Sequence, residues 1–144
     1  MKTILLVSGP NLNLLGEREP EIYGDATLAD YVELASSTAA DHGYELVHRQ
    51  FNDEGGIVEE IHSARGTHEG IIINPGALTH YGWSIHDALA AYDGPVIEIH
   101  LSNPNAREPW RHTSVVAPVA LGSIVGFGGY GYELAVNALA NALK

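Results

Sequence analysis

Residues 70–76 read Gly-Ile-Ile-Ile-Asn-Pro-Gly. A short apolar run without polar alternation belongs to a strand covered on both faces, as in a parallel sheet. Pro75-Gly76 ends it. Thr3 to Ser8 (TILLVS) has the same character, and Pro95 to His100 (PVIEIH) is a further strand. Tyr44 to His48 reads as another, and Ser123 to Val125 as a weaker fifth. Helical segments lie between them. Thr27 to His42 carries Leu28, Tyr31, Val32, Ala35 and Ala39 at helical spacing, with Thr27 as N-cap. Gly55-Gly56 opens a helix through Ile57, Val58, Ile61 and Ala64. Thr79 to Tyr92 is expected to be one helix stopped by Gly94-Pro95, and Tyr130 to Leu143 closes the chain. This alternation predicts an α/β fold, a parallel sheet with helices on both faces. Ligands in such sheets bind beyond the carboxyl ends of the strands. Four places are selected: the segment after Ser8, Asn74-Pro75-Gly76, His100-Leu101-Ser102, and the loop after the fifth strand.

A length of 144 residues fits one domain, residues 1–144. The chain holds 7 Lys+Arg against 18 Asp+Glu, a net charge of -11. That balance argues against nucleic acid or an anionic membrane surface as partner, since both need clustered cations. With no Cys there is no disulfide, thiolate nucleophile or Cys-based metal site. The apolar run at Met1 to Val7 stops at Ser8-Gly9-Pro10-Asn11, short of the roughly 7–15 residues of a signal-peptide core. A cytoplasmic location is expected.

Gly126, Gly128 and Gly131 match G-x-G-x-x-G between an apolar run and a helix. A dinucleotide fingerprint also needs a following strand with an acidic residue about 20 positions on. The chain ends at Lys144, so a tight strand-to-helix turn is expected instead. No P-loop sequence and no H-E-x-x-H is present. His42, His48, His62 and His68 read as ordinary polar positions, and no metal site is expected.

Glu98 and His100 lie two apart on a strand and share a face, with His100 where ligands bind. A carboxylate beside an imidazole favours its charged form and orients the ring, as a general acid requires. A structural pair closing the sheet is the other reading. Gly16 to Gly24 (GEREPEIYG) is polar and glycine-bounded, which suits a mobile lid over about residues 16–25 carrying Arg18 and Tyr23, or a plain surface loop. A guanidinium near a phenol favours the phenolate. Asn11 and Asn74 follow strands and offer amide donors for a carbonyl, hydroxyl or enolate, or serve only as turn residues. Arg107 and Arg111 flank Trp110; Arg111 suits a bidentate clamp on a carboxylate, or pairs with a surface acid.

Together these segments resemble type II 3-dehydroquinate dehydratases. Gly9-Pro10-Asn11-Leu12-Asn13-Leu14-Leu15-Gly16, then Arg18-Glu19-Pro20 and Ile22-Tyr23-Gly24, are similar to that family's N-terminal signature. Asn74-Pro75-Gly76 with Thr79-His80 matches further along. So do Glu98-Ile99-His100-Leu101-Ser102-Asn103, Ala106-Arg107-Glu108 with Arg111-His112, and Gly126 to Tyr132. The resemblance runs the length of the chain. It implies a flavodoxin-like three-layer sandwich with strand order 2-1-3-4-5. It implies anti dehydration of 3-dehydroquinate to 3-dehydroshikimate through an enolate, in the shikimate pathway or quinate catabolism, with no cofactor and no metal. Tyr23 is then the base and Arg18 lowers its pKa. Asn11 stabilises the enolate through an ordered water. His100 is the acid, held by Glu98. Asn74, Gly76, His80, Arg111 and the backbone at Leu101 and Ser102 bind the substrate. Asp87 is expected to reach a neighbouring subunit's site in a trimer-based homododecamer.

Some positions depart from the family's wording: Phe51, Leu78, Tyr81-Gly82-Trp83 and Asn103-Pro104-Asn105. Phe51 is expected to alter packing only. Tyr81 and Trp83 are expected to crowd either the site or a subunit contact. They motivate a second reading, a hydro-lyase for a related cyclic polyhydroxy acid. A third, a non-catalytic flavodoxin-like module for a small ligand, rests on the glycine loop.

Overall fold

The computed structural model describes every residue except Arg18, and of Tyr23 the backbone alone. Five strands, β1 (Thr3–Ser8), β2 (Glu45–Gln50), β3 (Ile71–Asn74), β4 (Val96–His100) and β5 (Gly122–Val125), form one sheet. Its order is β2-β1-β3-β4-β5 and every neighbouring pair is parallel. The expected α/β class and strand order are both met. Five helices accompany it: α1 (Pro20–Tyr23), α2 (Leu28–Asp41), α3 (Glu54–Ala64), α4 (Trp83–Ala90) and α5 (Tyr130–Ala142).

The strands divide their side chains between two cores, because successive residues point to opposite faces. Ile4, Leu6, Ile72, Ile97 and Ile99 pack with Ala35 and Ala39 of α2 and with Tyr132, Val136 and Leu139 of α5. Leu5, Val7, Ile71, Ile73 and Val96 pack with Ile57 and Ile61 of α3 and with Ile85 and Leu89 of α4. Both faces are therefore dry, which is why these strands carry no polar alternation.

Local chemistry sets the helix starts. The Thr27 hydroxyl accepts from the Asp30 N–H at 3.2 Å, and the Asp30 carboxylate accepts from the Thr27 N–H at 2.9 Å. This reciprocal box fixes the first turn of α2. Asp53 accepts from the Gly56 N–H, so α3 begins at Glu54, ahead of the glycine pair. Phe51 packs beside the second core.

One expected helix is two elements. Thr79 to Tyr92 does not form a single helix. A 3-10 helix spans Gly76–His80, and α4 starts only at Trp83. Tyr81 breaks the run with φ -154°, and the Gly82 N–H closes the turn on the Leu78 carbonyl at 2.7 Å. A Cβ at Gly82 would lie 2.7 Å from that carbonyl oxygen. Thr79 and His80 consequently stand on a turn beyond β3, off the axis of α4.

The glycine motif makes the turn expected of it. Gly126 (φ +91°) and Gly128 (φ +58°) occupy the left-handed region between β5 and α5.

Candidate active site

The register aligns Ser8 of β1 with Asn74 of β3, and His100 of β4 with Val125 of β5. A cavity of about 200 Å³ opens at this carboxyl edge. The loop after β1 supplies Asn11, and β3 with its turn supplies Asn74, Gly76 and His80. The end of β4 supplies His100, Leu101 and Ser102, and the following loop Arg107 and Arg111. Residues distant in sequence meet here because every parallel strand ends at the same edge.

Asn11 is held in the left-handed region at φ +70°, a conformation Asn tolerates better than most residues. Its N–H donates to Asn52 Oδ1 at 3.0 Å, which also accepts from Gln50 Nε2 at 3.0 Å. Gln50 Nε2 further donates to the Gly9 carbonyl at 3.1 Å. Gly9 itself passes so close to Pro75 that a Cβ would meet its carbonyl oxygen at 2.5 Å.

Glu98 is 2% exposed beneath the cavity floor. Its Oε2 accepts from Thr79 Oγ1 at 2.5 Å and from His100 Nε2 at 2.6 Å. The Ser114 hydroxyl lies 2.9 Å from Oε1, and Ser123 Oγ lies 3.4 Å from it. Burial pushes this carboxyl up. The hydrogen bond and charge of His100, with the Thr79 and Ser114 hydroxyls, outweigh burial and hold it below the usual range. The bond to Glu98 occupies His100 Nε2 and leaves Nδ1 for a ligand.

His80 donates from Nδ1 to the Thr113 carbonyl at 2.6 Å, which leaves Nε2 as an acceptor. Burial lowers its pKa, aided by nearby His100 and Arg111, so the ring is neutral near pH 7. Arg111 donates from Nε to Glu108 Oε2 at 2.9 Å and lies 4.0 Å over the Trp110 ring. Both contacts fix the guanidinium at the rim. Arg107 donates to Ser102 Oγ at 3.2 Å.

Asn11, Asn74, Gly76, His80, His100, Leu101, Ser102 and Arg111 are thus gathered at one cavity, with Glu98 directly behind His100. Asp87 is exposed on α4 and does not line its own chain's cavity. Arg18 and the Tyr23 side chain lie outside the described residues. Tyr81 and Trp83 are 61% and 63% exposed and do not line the cavity, so they do not crowd it. Sequence reading missed Thr79, Ser114, Gln50 and Asn52 as supporting residues. It left Arg107 out of the site. The alignment of strand ends is the only signal for Gln50, which closes β2 opposite Ser8.

A larger groove of about 950 Å³ runs along α2 past Leu15, Leu28 and Val32. Asn13, Glu17, Asp25, Thr27 and Glu33 also border it, and its surface is mostly apolar. Its one imidazole, His48, is bound to Ser8 Oγ at 2.9 Å. Among the described residues no helix is long and apolar enough to cross a membrane.

Comparison with known proteins bears on the family and the fold. Residues 2–140 match the family described as Dehydroquinase class II. The 3-dehydroquinate dehydratase of Halalkalibacterium halodurans is 54% identical over 144 residues, covering 100% of this chain and 99% of the relative. The catabolic 3-dehydroquinase of Penicillium rubens is 56% identical over 135 residues, 94% of this chain and 87% of the relative. The crystal structure of type II dehydroquinase from Propionibacterium acnes superposes with a TM-score of 0.93 at 42% identity, covering 98% of this chain and 97% of that one. The chain belongs to the class II dehydroquinase family.

Proposed function

We infer that this chain dehydrates 3-dehydroquinate to 3-dehydroshikimate by anti elimination. The observation that carries this reading is the Glu98–His100 pair at the carboxyl edge, facing a cavity with amide, imidazole and guanidinium donors. The elimination needs a base for the proton next to the ketone, a stabiliser for the enolate and an acid for the departing hydroxyl. Tyr23, as a phenolate favoured by Arg18, removes the proton. Both belong to a lid over residues 16–25. Asn11, through a water, takes up the charge that develops on the enolate oxygen. The enolate then reforms the ketone in conjugation as the C–O bond breaks. His100 delivers its proton to the leaving oxygen, so that water departs. Glu98 orients the ring and balances its charge.

The remaining groups bind. Arg111 offers two parallel N–H donors to the carboxylate. Neutral His80 accepts from a ring hydroxyl through Nε2, while Asn74, Gly76 and the backbone of Leu101 and Ser102 complete the hydrogen bonding. Asp87 completes the site of a neighbouring copy in a trimer-based dodecamer. Its exposure on α4, away from its own cavity, supports that placement. The mass in solution tests the assembly. The same reaction serves aromatic biosynthesis and quinate breakdown.

The purified protein should produce the absorbance of a conjugated enone from 3-dehydroquinate in preference to other cyclic hydroxy acids. Turnover of a different hydroxy acid, with none of 3-dehydroquinate, would refute this substrate assignment.

A further inference from the structure

Three consecutive residues, Thr113, Ser114 and Val115, each hold one titratable side chain, two of them at or behind the cavity. The Thr113 carbonyl accepts from His80 Nδ1 at 2.6 Å. The Ser114 hydroxyl lies 2.9 and 3.1 Å from the two oxygens of Glu98. The Val115 carbonyl accepts from His86 Nδ1 at 2.6 Å. The Val115 N–H donates to the Thr79 carbonyl at 2.7 Å, which ties the segment to the turn that carries Thr79 and His80.

Proton counting fixes the direction of the Ser114 hydroxyl. Its oxygen accepts from the N–H groups of Val116 and Ala117 at 3.2 and 2.9 Å. Those two bonds use both lone pairs, so the single hydroxyl proton must be donated. Two acceptor oxygens are in reach, Glu98 Oε1 at 2.9 Å and Thr79 Oγ1 at 3.0 Å, and the carboxylate, nearer and charged, is the stronger acceptor. Thr79 donates to Glu98 Oε2 as well, and His100 Nε2 reaches the same oxygen. Every neighbour of this buried carboxyl is thus a donor. A neutral carboxyl would need an acceptor for its own proton and would reverse one of these bonds. Among the described residues, the titratable and charged side chains that face the pair from other elements are His80, Arg107, Arg111 and His112.

We propose that Ser114 is a positioning residue of this site: by donating to Glu98 it keeps the carboxyl an acceptor for His100 Nε2 and leaves Nδ1 as the atom that meets the leaving hydroxyl. The proposal rests on the reading of Glu98 and His100 as the acid pair. Ser114 never touches substrate. It acts through Glu98, with Thr79 as the second donor. The backbone N–H groups of Val116 and Ala117 set its polarity and bind it to the rigid segment.

Three measurements decide it. In Ser114→Ala, kcat should fall roughly tenfold while KM stays within about twofold, and Ser114→Thr, which keeps the hydroxyl, should recover most of the loss. In the substrate-free protein, carbon-13 NMR should show the Glu98 carboxyl titrating at higher pH in Ser114→Ala than in the wild type. Thr79→Val, which removes the other donor at constant volume, should move the titration in the same direction and serves if Ser114→Ala fails to fold. Unchanged kcat, or an unchanged Glu98 titration in a folded variant, would overturn the proposal. The NMR arm needs no substrate. A wild type inactive on 3-dehydroquinate would therefore sink the functional reading while leaving the role of Ser114 to be decided by Glu98 itself.

Discussion

Tyr132 carries a conflict visible at one side chain. It is fully buried in the core between the sheet and α5, its ring stacked on Tyr31 with centroids 5.4 Å apart. Its hydroxyl lies beside Asn74 without a well-formed hydrogen bond among the described residues. Burial pushes the phenol up to about 12, so it stays protonated. An unmade buried hydrogen bond costs about 1–3 kcal/mol. Tyr132→Phe should therefore leave the fold intact and hold or raise stability by up to about 1 kcal/mol in chemical denaturation. A loss above about 2 kcal/mol would show that the hydroxyl has a stabilising partner. The residue scale also marks where sequence reading stops. Glu98 and His100 are legible because two residues apart on a strand share a face. Ser114 and Thr79 are 16 and 19 positions from Glu98 in the chain. No periodicity connects them to it, and only the closed fold brings their hydroxyls to its carboxyl.

At the scale of elements, the strands are legible because burial on both faces leaves an unbroken apolar run, as in Ile71-Ile72-Ile73. The edge strand β2 is half-buried and less clear, and its far end comes from pairing with the whole of β1. The division of residues 76–90 into a 3-10 helix and α4 is hidden, since Leu78, Ile85 and Leu89 keep helical spacing across the break. The break has a function: it places His80 on the cavity wall. Gly82 sustains it, with the Leu78 carbonyl 2.7 Å from where a Cβ would stand. Gly82→Ala should destabilise the protein by roughly 1–3 kcal/mol, as backbone clashes of this kind do. It should raise KM more than it lowers kcat, because the displaced His80 is the residue we propose binds substrate. A variant with wild-type stability and KM would contradict this account of the turn.

For the molecule as a whole, charge and pH are the governing variables. With a net charge of -11, two of the seven Lys+Arg, Arg107 and Arg111, line one small cavity. Stability should follow pH in two stages. Burial lowers the pKa of His48, His68 and His80 below the ordinary 6.5, so the unfolded chain binds more protons there as pH falls. The stability these rings contribute is complete above about pH 6.5 and declines below it. Glu98 is held below the ordinary 4.5, so its contribution is present above that value and is lost as pH falls through its lower native value. Denaturant midpoints from pH 8 to pH 4 should be flat above about 7 and fall steadily below about 6.5. A midpoint that rises on acidification across that range would mean these histidines are not buried neutral.

The central claim is an elimination driven by Glu98–His100 acid catalysis, with the required side chains supplied by this chain family's own fold. The most direct measurement is enone formation from 3-dehydroquinate by protein dialysed against a chelator and treated with borohydride, with His100→Ala alongside. The account predicts undiminished wild-type turnover and a loss of about 10²–10⁴-fold in the variant, the usual worth of a general acid. Wild-type protein inactive after that treatment, or a variant that turns over as fast as the wild type, would contradict it.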